Sequence, residues 1–152
     1  MVYIEAPNTI ESDKKSLFLA GGISGCPEWQ KKVIAKLKYL DIVVYNPRRA
    51  NFDIDDSDVA KEQVIWEHKC LKKADIISFW FCAETIQPIT LYELGAHSMT
   101  NKPLVIGVDS DYERIFDVTI QTRLVRPQLK IVHSLDELSD GIFKVVNEIS
   151  FI

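Results

Sequence analysis

The sequence predicts an α/β fold: a doubly wound, five-stranded parallel sheet of the flavodoxin or Rossmann-like type, with helices on both faces. Short apolar, β-branched runs alternate with longer amphipathic segments along the chain, and this alternation is typical of a parallel sheet covered on both faces. Right-handed crossovers then favour the doubly wound arrangement. The 152 residues suit a single domain, in which we expect residues 1–15 to form a loosely attached arm.

The predicted strands are the five apolar runs at residues 17–20, 42–45, 75–81, 104–108 and 129–132. Pro27 suits the first turn of a helix after the first strand, and Asn46-Pro47 ends the second strand. Apolar spacing predicts helices at about 58–73 and about 90–100, and weaker helical character at 111–126. Ser134 and Glu137 form a capping box that opens the last helix.

Composition and charge exclude several classes of protein. The net charge of −4 argues against binding to a DNA or RNA polymer. No apolar run approaches the roughly 20 residues of a membrane span, and the polar residues 1–15 do not resemble a signal peptide. The three cysteines, Cys26, Cys70 and Cys82, are odd in number and widely spaced, which favours free thiols over a disulfide or a zinc site. We therefore expect a cytoplasmic protein without a membrane partner.

A glycine-rich turn follows the first predicted strand. It consists of Gly21, Gly22, Ile23, Ser24 and Gly25. Glycines let a backbone approach a ligand closely, and a helix N-terminus attracts anions. The spacing fits neither a P-loop nor the dinucleotide fingerprint. The turn is therefore either a ligand-binding turn or simply a tight connection from strand to helix.

A second polar segment follows the second predicted strand and runs from Asn46 to Asp53. Its arginines, Arg48 and Arg49, suit a phosphate or a carboxylate, and Asp53 could accept hydrogen bonds from sugar hydroxyls. The alternative is a solvated, charged loop.

Glu67 belongs to an apolar stripe of the predicted helix at 58–73. The other members of this stripe are Ala60, Val64, Leu71 and Ala74. A charged residue on a buried helix face is unfavourable unless it has a partner. Glu67 is thus a candidate functional residue, unless it lies at the edge of the stripe and reaches water or meets a structural arginine.

Glu93 follows the most apolar predicted strand, at the start of the next helix. Open α/β sheets bind ligands at this position, and the helix dipole favours an ionised carboxylate in the first turn. The alternative is structural, because Thr90 and Glu93 have the spacing of a capping box. Gly95 is unfavourable inside a helix, which indicates that something packs closely against it.

Four sequence elements together resemble the nucleoside 2-deoxyribosyltransferase family, in particular its short bacterial and phage-type members. These elements are residues 17–22 with the following serine, Asn46-Pro47-Arg48, residues 66–77 and Tyr92-Glu93-Leu94-Gly95. The similarity runs from about Leu17 to Val108. Each motif alone is weak, and their combination is fairly specific.

The resemblance implies roles for individual residues. Glu93 matches the nucleophile of the family's Glu-Leu-Gly motif, and Asp75 matches the aspartate that opens the third strand. A second acidic residue lies eight positions before that aspartate, which gives Glu67. Many relatives have aspartate there. Gln87 stands near a position at which transferases often carry another acid, which leaves recognition of the base open.

The implied reaction uses two carboxylates, as retaining glycosidases do. Glu93 would attack C1′ of a nucleoside, and a second base would take the sugar, with no cofactor or metal. Two alternatives stay open: hydrolysis of a nucleoside 5′-monophosphate at its N-glycosidic bond, and a non-catalytic nucleotide-sensing module. The implied partners are a nucleoside or nucleotide, a free nucleobase and further copies of the chain in a homo-oligomer.

Overall fold

The structure is a computed structural model that describes residues 1–50 and 55–149. Within these residues, six strands form one sheet. They are β1 (Val2–Glu5), β2 (Ser16–Gly21), β3 (Val43–Asn46), β4 (Ile76–Phe81), β5 (Leu104–Val108) and β6 (Ile131–Val132). The five helices of the described residues are α1 (Trp29–Leu37), α2 (Ser57–Lys73), α3 (Pro88–Ser98), α4 (Ile115–Val125) and α5 (Leu135–Ile149).

All pairings in the sheet are parallel, and the strand order is β1-β3-β2-β4-β5-β6. Without β1, this is the flavodoxin order, so the doubly wound fold predicted from the sequence is confirmed. The count of five strands was one too low. Residues 2–5 form an edge strand in register with β3, Val2 opposite Val43, and not a loose arm. The strand has only four residues and is half-buried, which weakens its sequence signal.

Two apolar clusters cover the two faces of the sheet. On one face, α1 and α5 pack against the sheet through Trp29, Val33 and Leu138, together with other apolar side chains. On the other face, α2, α3 and α4 contribute Trp66, Leu94 and Val118 among others. Every residue of β4 is buried, as expected for a central strand between two helical layers.

Local signals in the sequence set several helix ends. Asp56 caps α2, and its Oδ1 accepts hydrogen bonds from the backbone N–H groups of Asp58 (2.9 Å) and Val59 (3.3 Å). The predicted capping box before α5 is present, because the Glu137 backbone N–H donates to Ser134 Oγ at 3.2 Å. None of the helices in the described residues is both long enough and apolar enough to cross a membrane.

Candidate active site

A cavity of about 500 Å³ opens at the carboxyl edge of the sheet. Four segments line it: the turn after β2, the loop after β3, the inner side of α2, and the segment from residue 85 into α3. The chain leaves β2 for β3 on one side and returns to β4 on the other, so the cavity lies at the topological switch point of the sheet. Ligands of open α/β sheets bind at such points.

The glycine-rich turn forms one wall of the cavity through Gly21, Gly22, Ile23 and Ser24. A side chain on Gly21 would overlap the carbonyl oxygen of Trp80 on β4. Gly25 does not line the cavity, and its φ of +71° is in the left-handed region that favours glycine. The structure thus brings four of the five predicted turn residues to the cavity, and the fifth shapes the turn.

The cysteines differ from the expectation of three free thiols. Cys26, in the loop before α1, is disulfide-bonded to Cys82, which follows β4, and their Cα atoms are 6.5 Å apart. The two residues are 56 positions apart in sequence, but β2 and β4 are neighbours, so their loops meet at the same edge. Cys70 is a buried free thiol, and burial raises its pKa to about 11.

The two arginines after β3 have different positions. Arg48 hydrogen-bonds Gln30 Oε1 (3.1 Å) and the backbone carbonyls of Cys26 (3.1 Å) and Pro27 (3.0 Å). It therefore braces the loop before α1 and does not line the cavity. Arg49 lines the cavity and forms an ion pair with Glu62 at 3.0 Å.

Two other predicted binding residues of this region are not part of the cavity wall. Asn46 ends β3, where its side chain donates to the Tyr3 hydroxyl (2.8 Å) and accepts from the Arg48 backbone N–H (3.1 Å). Asn46 thus stabilises the base of the loop. Asp53 lies outside the described residues.

Glu67 reaches the cavity from α2. The buried side of this helix is shifted by about one residue from the apolar stripe that the sequence predicts. The buried side of α2 is centred on Gln63, Trp66 and Cys70, whereas Val64 is mostly exposed at the cavity mouth. Glu67 lies between these two sides and lines the cavity. Its Oε1 accepts a 2.8 Å hydrogen bond from Gln63 Nε2. Burial raises the pKa of Glu67, and the Gln63 hydrogen bond opposes that shift.

Glu93 lines the cavity from α3, and the structure corrects its capping role. The helix begins at Pro88 with Gln87 as its N-cap, so Thr90 is already helical and cannot be the cap that the pattern predicts. Proline suits this first helical position. Glu93 therefore lies in the second turn, and within the described residues no group hydrogen-bonds its carboxyl oxygens.

The ionisation of Glu93 also differs from the prediction that the helix dipole keeps it charged. Burial and the nearby Glu67 carboxyl raise the pKa of Glu93 to about 8. Desolvation disfavours the charged form, and a second carboxylate disfavours it further. Two such groups titrate as a pair. Glu93 therefore keeps its proton at neutral pH and is a carboxylic acid beside the Glu67 carboxyl group in the same cavity.

Gly95 and Asp75 do not have the surroundings that the sequence indicated. A Cβ added to Gly95 would meet no atom of the described residues within 4 Å, its own helix backbone aside, so none of these residues packs closely against it. Asp75 precedes β4 at the amino edge of the sheet, opposite the cavity. Its Oδ2 accepts hydrogen bonds from the backbone N–H (2.7 Å) and the Oγ (2.8 Å) of Ser16. Asp75 thus joins two strands and is not brought to the cavity.

Two glutamines of the cavity wall each have a buried amide oxygen without a partner among the described residues. Gln63 Nε2 also donates to the Pro47 carbonyl (2.7 Å), and Gln87 Nε2 donates to the carbonyls of Cys82 (2.7 Å) and Thr85 (2.8 Å). These carbonyls fix which end of each amide is the donor, so both Oε1 atoms are unpaired acceptors. Gln63 was missed from the sequence, although its i, i+4 relation to Glu67 was a usable signal.

The fold and the cavity define a class: a Rossmann-like α/β domain with a pair of interacting carboxyl groups at the ligand-binding edge. The chain belongs to the nucleoside 2-deoxyribosyltransferase-like family, whose model matches residues 14–112. This match confirms the family predicted from the sequence. Membership points to a glycosyltransferase-like enzyme that acts on nucleosides.

A solved structure supports the fold. The crystal structure of a conserved protein from Enterococcus faecalis V583 superposes with a TM-score of 0.63 and covers 86% of this chain and 98% of its own. At 16% identity, this similarity concerns the fold alone. No curated protein matches the chain significantly.

Proposed function

We propose that this protein cleaves the N-glycosidic bond of a (deoxy)nucleoside and transfers the sugar to another base through a covalent glycosyl–Glu93 intermediate. The main support is that Glu67 and Glu93, from two neighbouring helices, line one cavity in a member of a family named for this reaction. The cavity volume of about 500 Å³ is within the range of small-molecule sites.

In the first step, a carboxylate oxygen of Glu93 forms a bond to C1′ of the sugar while the C1′–N bond breaks. The electron pair of that bond stays on the nitrogen of the leaving base, which takes a proton from the Glu67 carboxyl group. This division of roles is that of retaining glycosidases, with one carboxylate as nucleophile and one carboxylic acid as proton donor.

This division of roles requires a proton to move from Glu93 to Glu67. The more strongly raised pKa places the proton on Glu93 in the absence of substrate, whereas the reaction requires it on Glu67. Neither group has to be deprotonated by bulk solvent, because one proton moving within the pair gives the reactive form. A sugar hydroxyl that donates to Glu93 would favour that form.

In the second step, a nitrogen of the incoming base attacks C1′, and Glu93 leaves as a carboxylate. Glu67 accepts the proton that this nitrogen releases, which restores the starting state. These steps use only carboxyl groups, so we propose no metal or organic cofactor. The turn at residues 21–24 faces the same cavity and would contact the sugar.

A specific observation favours a second candidate, the hydrolysis of a nucleoside 5′-monophosphate. Arg49 lines the cavity together with Ser24 of the turn, and a guanidinium with a hydroxyl donor suits a phosphate. Water would then replace the incoming base in the second step.

Cytoplasmic location and the lack of a nucleic-acid polymer as partner, both expected from the sequence, stay predictions.

One assay separates the candidates. The protein is incubated with a deoxynucleoside and a foreign base, then with the corresponding 5′-monophosphate, and products are resolved by chromatography. A new nucleoside means transfer, free base without exchange means hydrolysis, and no turnover with measurable binding means a non-catalytic sensing module.

Variants test the nucleophile. Glu93→Gln is expected to lower kcat by at least about 10³-fold, and wild-type protein quenched early should gain the mass of one sugar on the peptide that contains Glu93. The matched control is Glu84→Gln, because Glu84 is an exposed carboxylate after β4 that does not line the cavity. Full activity in Glu93→Gln would exclude the proposed intermediate.

A further inference from the structure

A disulfide bridge lies directly behind one wall of the cavity. The parallel ladder between β2 and β4 ends with Gly21 opposite Trp80. Just beyond this point Cys26 and Cys82 join the two chains covalently, and their Cα atoms are 6.5 Å apart, a separation that a disulfide spans. The bridge thus ties the loop of the glycine-rich turn to the segment that leads into α3.

The two sulfur atoms touch residues that line the cavity. A Cβ added to Gly22 would overlap the sulfur atoms of both Cys26 and Cys82, so Gly22 rests on the bridge. Cys26 Sγ is also 3.2 Å from Thr85 Oγ1, and Gln87 Nε2 is 3.3 Å from the other sulfur. Gly22, Thr85 and Gln87 line the cavity, whereas neither cysteine does. A change at the bridge therefore reaches the cavity wall through direct contacts.

Gln87 connects the bridge to the start of α3. It is the N-cap of this helix and has a φ of 54°, in the left-handed region that residues other than glycine rarely adopt. Its side chain holds this conformation by donating to the backbone carbonyls of Cys82 and Thr85. The position of Cys82 therefore influences how α3, the helix that carries Glu93, begins.

A thiol can reach the bridge without entering the cavity. Cys26 is partly exposed, in the loop before α1. Cys82 is 2% exposed and lines a second cavity, of about 430 Å³, together with Pro27 and Trp29. Reduction therefore does not have to displace a bound ligand. In the cytoplasm that the sequence predicts for this protein, disulfides are usually transient and often redox-sensing.

We infer that Cys26 and Cys82 form a site of reversible thiol–disulfide exchange, and that the bridged form is the one that binds the nucleoside. A thiolate of a reducing dithiol attacks Cys26 Sγ, the more exposed sulfur, and the electron pair of the broken S–S bond leaves on Cys82. Gln87 Nε2 is in place to donate to that thiolate. The second thiol of the dithiol then attacks the mixed disulfide and releases Cys26. The dithiol ends as a disulfide, and the two cysteines take up the protons that it loses.

Reduction removes the covalent link between the two loops. Trp29 Nε1 still donates to the Gly22 carbonyl (3.0 Å), and Arg48 Nη2 still donates to the Cys26 carbonyl (3.1 Å), but these bonds lie on one side of the gap. Across the gap, the weak contact between Cys26 Sγ and Thr85 Oγ1 replaces the bridge. The wall is then in its binding conformation for only part of the time, which lowers the apparent affinity in proportion. This inference gives the regulation of the proposed function, and its ligand-binding part rests on that function.

The test compares oxidised and reduced wild type. Protein purified in air without reductant should have one free thiol, Cys70, and all three of its cysteines should be free after treatment with dithiothreitol. Hydrogen exchange with mass spectrometry follows residues 21–28 and 82–90, and calorimetry measures the Kd for 2′-deoxyadenosine and for its 5′-monophosphate. Reduction is expected to speed exchange in both segments by at least about tenfold and to raise the Kd by at least about fivefold.

Variants separate the bridge from other effects of the reductant. Cys26→Ser lacks the bridge, so it should match reduced wild type and should not respond to dithiothreitol. Cys70→Ala is the matched control, because Cys70 is a buried free thiol that does not line the cavity, and it should keep the full response.

Three results would overturn the inference: three free thiols in protein purified in air, equal exchange rates in the two redox states, or equal Kd values in the two states. Binding of neither probe to either state would count against the proposed function. The exchange rates, which need no ligand, would then decide the inference alone.

Discussion

The carboxamide of Gln63 donates a 2.8 Å hydrogen bond to Glu67, and the same nitrogen donates to the Pro47 carbonyl at 2.7 Å. One buried side chain thus connects the loop after β3 to an acidic residue of the cavity. This bond lowers the pKa of Glu67 against the effect of burial, so Gln63 influences how readily Glu67 takes up a proton.

Gln63→Leu is therefore expected to raise the pKa of Glu67, because leucine fills the space without donating a hydrogen bond. In the proposed reaction Glu67 must be protonated when the base leaves, so the alkaline limb of the pH–kcat profile should move to higher pH. Gln128→Leu, at an exposed loop position, is the control. Superimposable profiles for wild type and Gln63→Leu would contradict a positioning role.

The raised pKa of Glu93 predicts how the free energy of unfolding depends on pH. A carboxyl group whose pKa is 4.5 when unfolded and about 8 when folded keeps in the folded state a proton that the unfolded state releases. Stability therefore falls as pH rises through that window. Glu93→Gln removes this effect and should be more stable than wild type by about 4 kcal/mol at pH 8, with little difference near pH 4.5.

Thermal unfolding of both proteins between pH 4.5 and pH 8.5 measures this difference. The gap in Tm should widen with pH to roughly 12 °C. A gap that stays constant over the window would show that Glu93 has an ordinary pKa. Glu84→Gln, exposed at the same edge of the sheet, should follow the wild-type curve.

Arg48 is expected to contribute mainly to stability. Arg48→Gln removes hydrogen bonds to carbonyls of the loop before α1, and charged hydrogen bonds of this kind contribute about 2 kcal/mol. Denaturant unfolding should show this loss. Arg114→Gln is the control, because its ion pair with Asp117 is half exposed and such pairs contribute little. Equal stability of Arg48→Gln and wild type would refute the bracing role.

Asp75→Ala tests the other edge of the sheet. The carboxylate accepts two hydrogen bonds from Ser16, so its loss should lower the free energy of unfolding by about 2 kcal/mol. The KM for a nucleoside should stay unchanged, because Asp75 does not line the cavity. A several-fold rise in KM with unchanged stability would restore Asp75 as a binding residue.

The sheet was predictable from the sequence because its central strands are continuous apolar runs. The run at 104–108 coincides with β5. That Glu67 and Glu93 line one cavity was also predictable, because both positions follow from the family motif, whereas their roles stay predictions. The start of α3 was predicted wrongly, because the helix begins at Pro88, two residues before Thr90. Proline at the first helical position was the stronger signal.

Side-chain direction and long-range proximity were not predictable in the same way. Arg48 and Arg49 are adjacent in sequence, and only the path of the backbone decides that Arg49 lines the cavity while Arg48 binds loop carbonyls. The Cys26–Cys82 pair depends on β2 lying beside β4. Spacing along the chain carries no information on such neighbours until the strand order is known.

The six described strands all run in the same direction, so their amino ends share one edge of the sheet and their carboxyl ends share the other. Bonds that hold strands together, such as those between Ser16 and Asp75, collect at the amino edge, whereas Glu67 and Glu93 stand at the carboxyl edge. A library that randomises cavity-lining positions but keeps Arg48 and the Cys26–Cys82 pair leaves these supports and the amino edge intact, so altered substrate preference should be selectable without first repairing the fold.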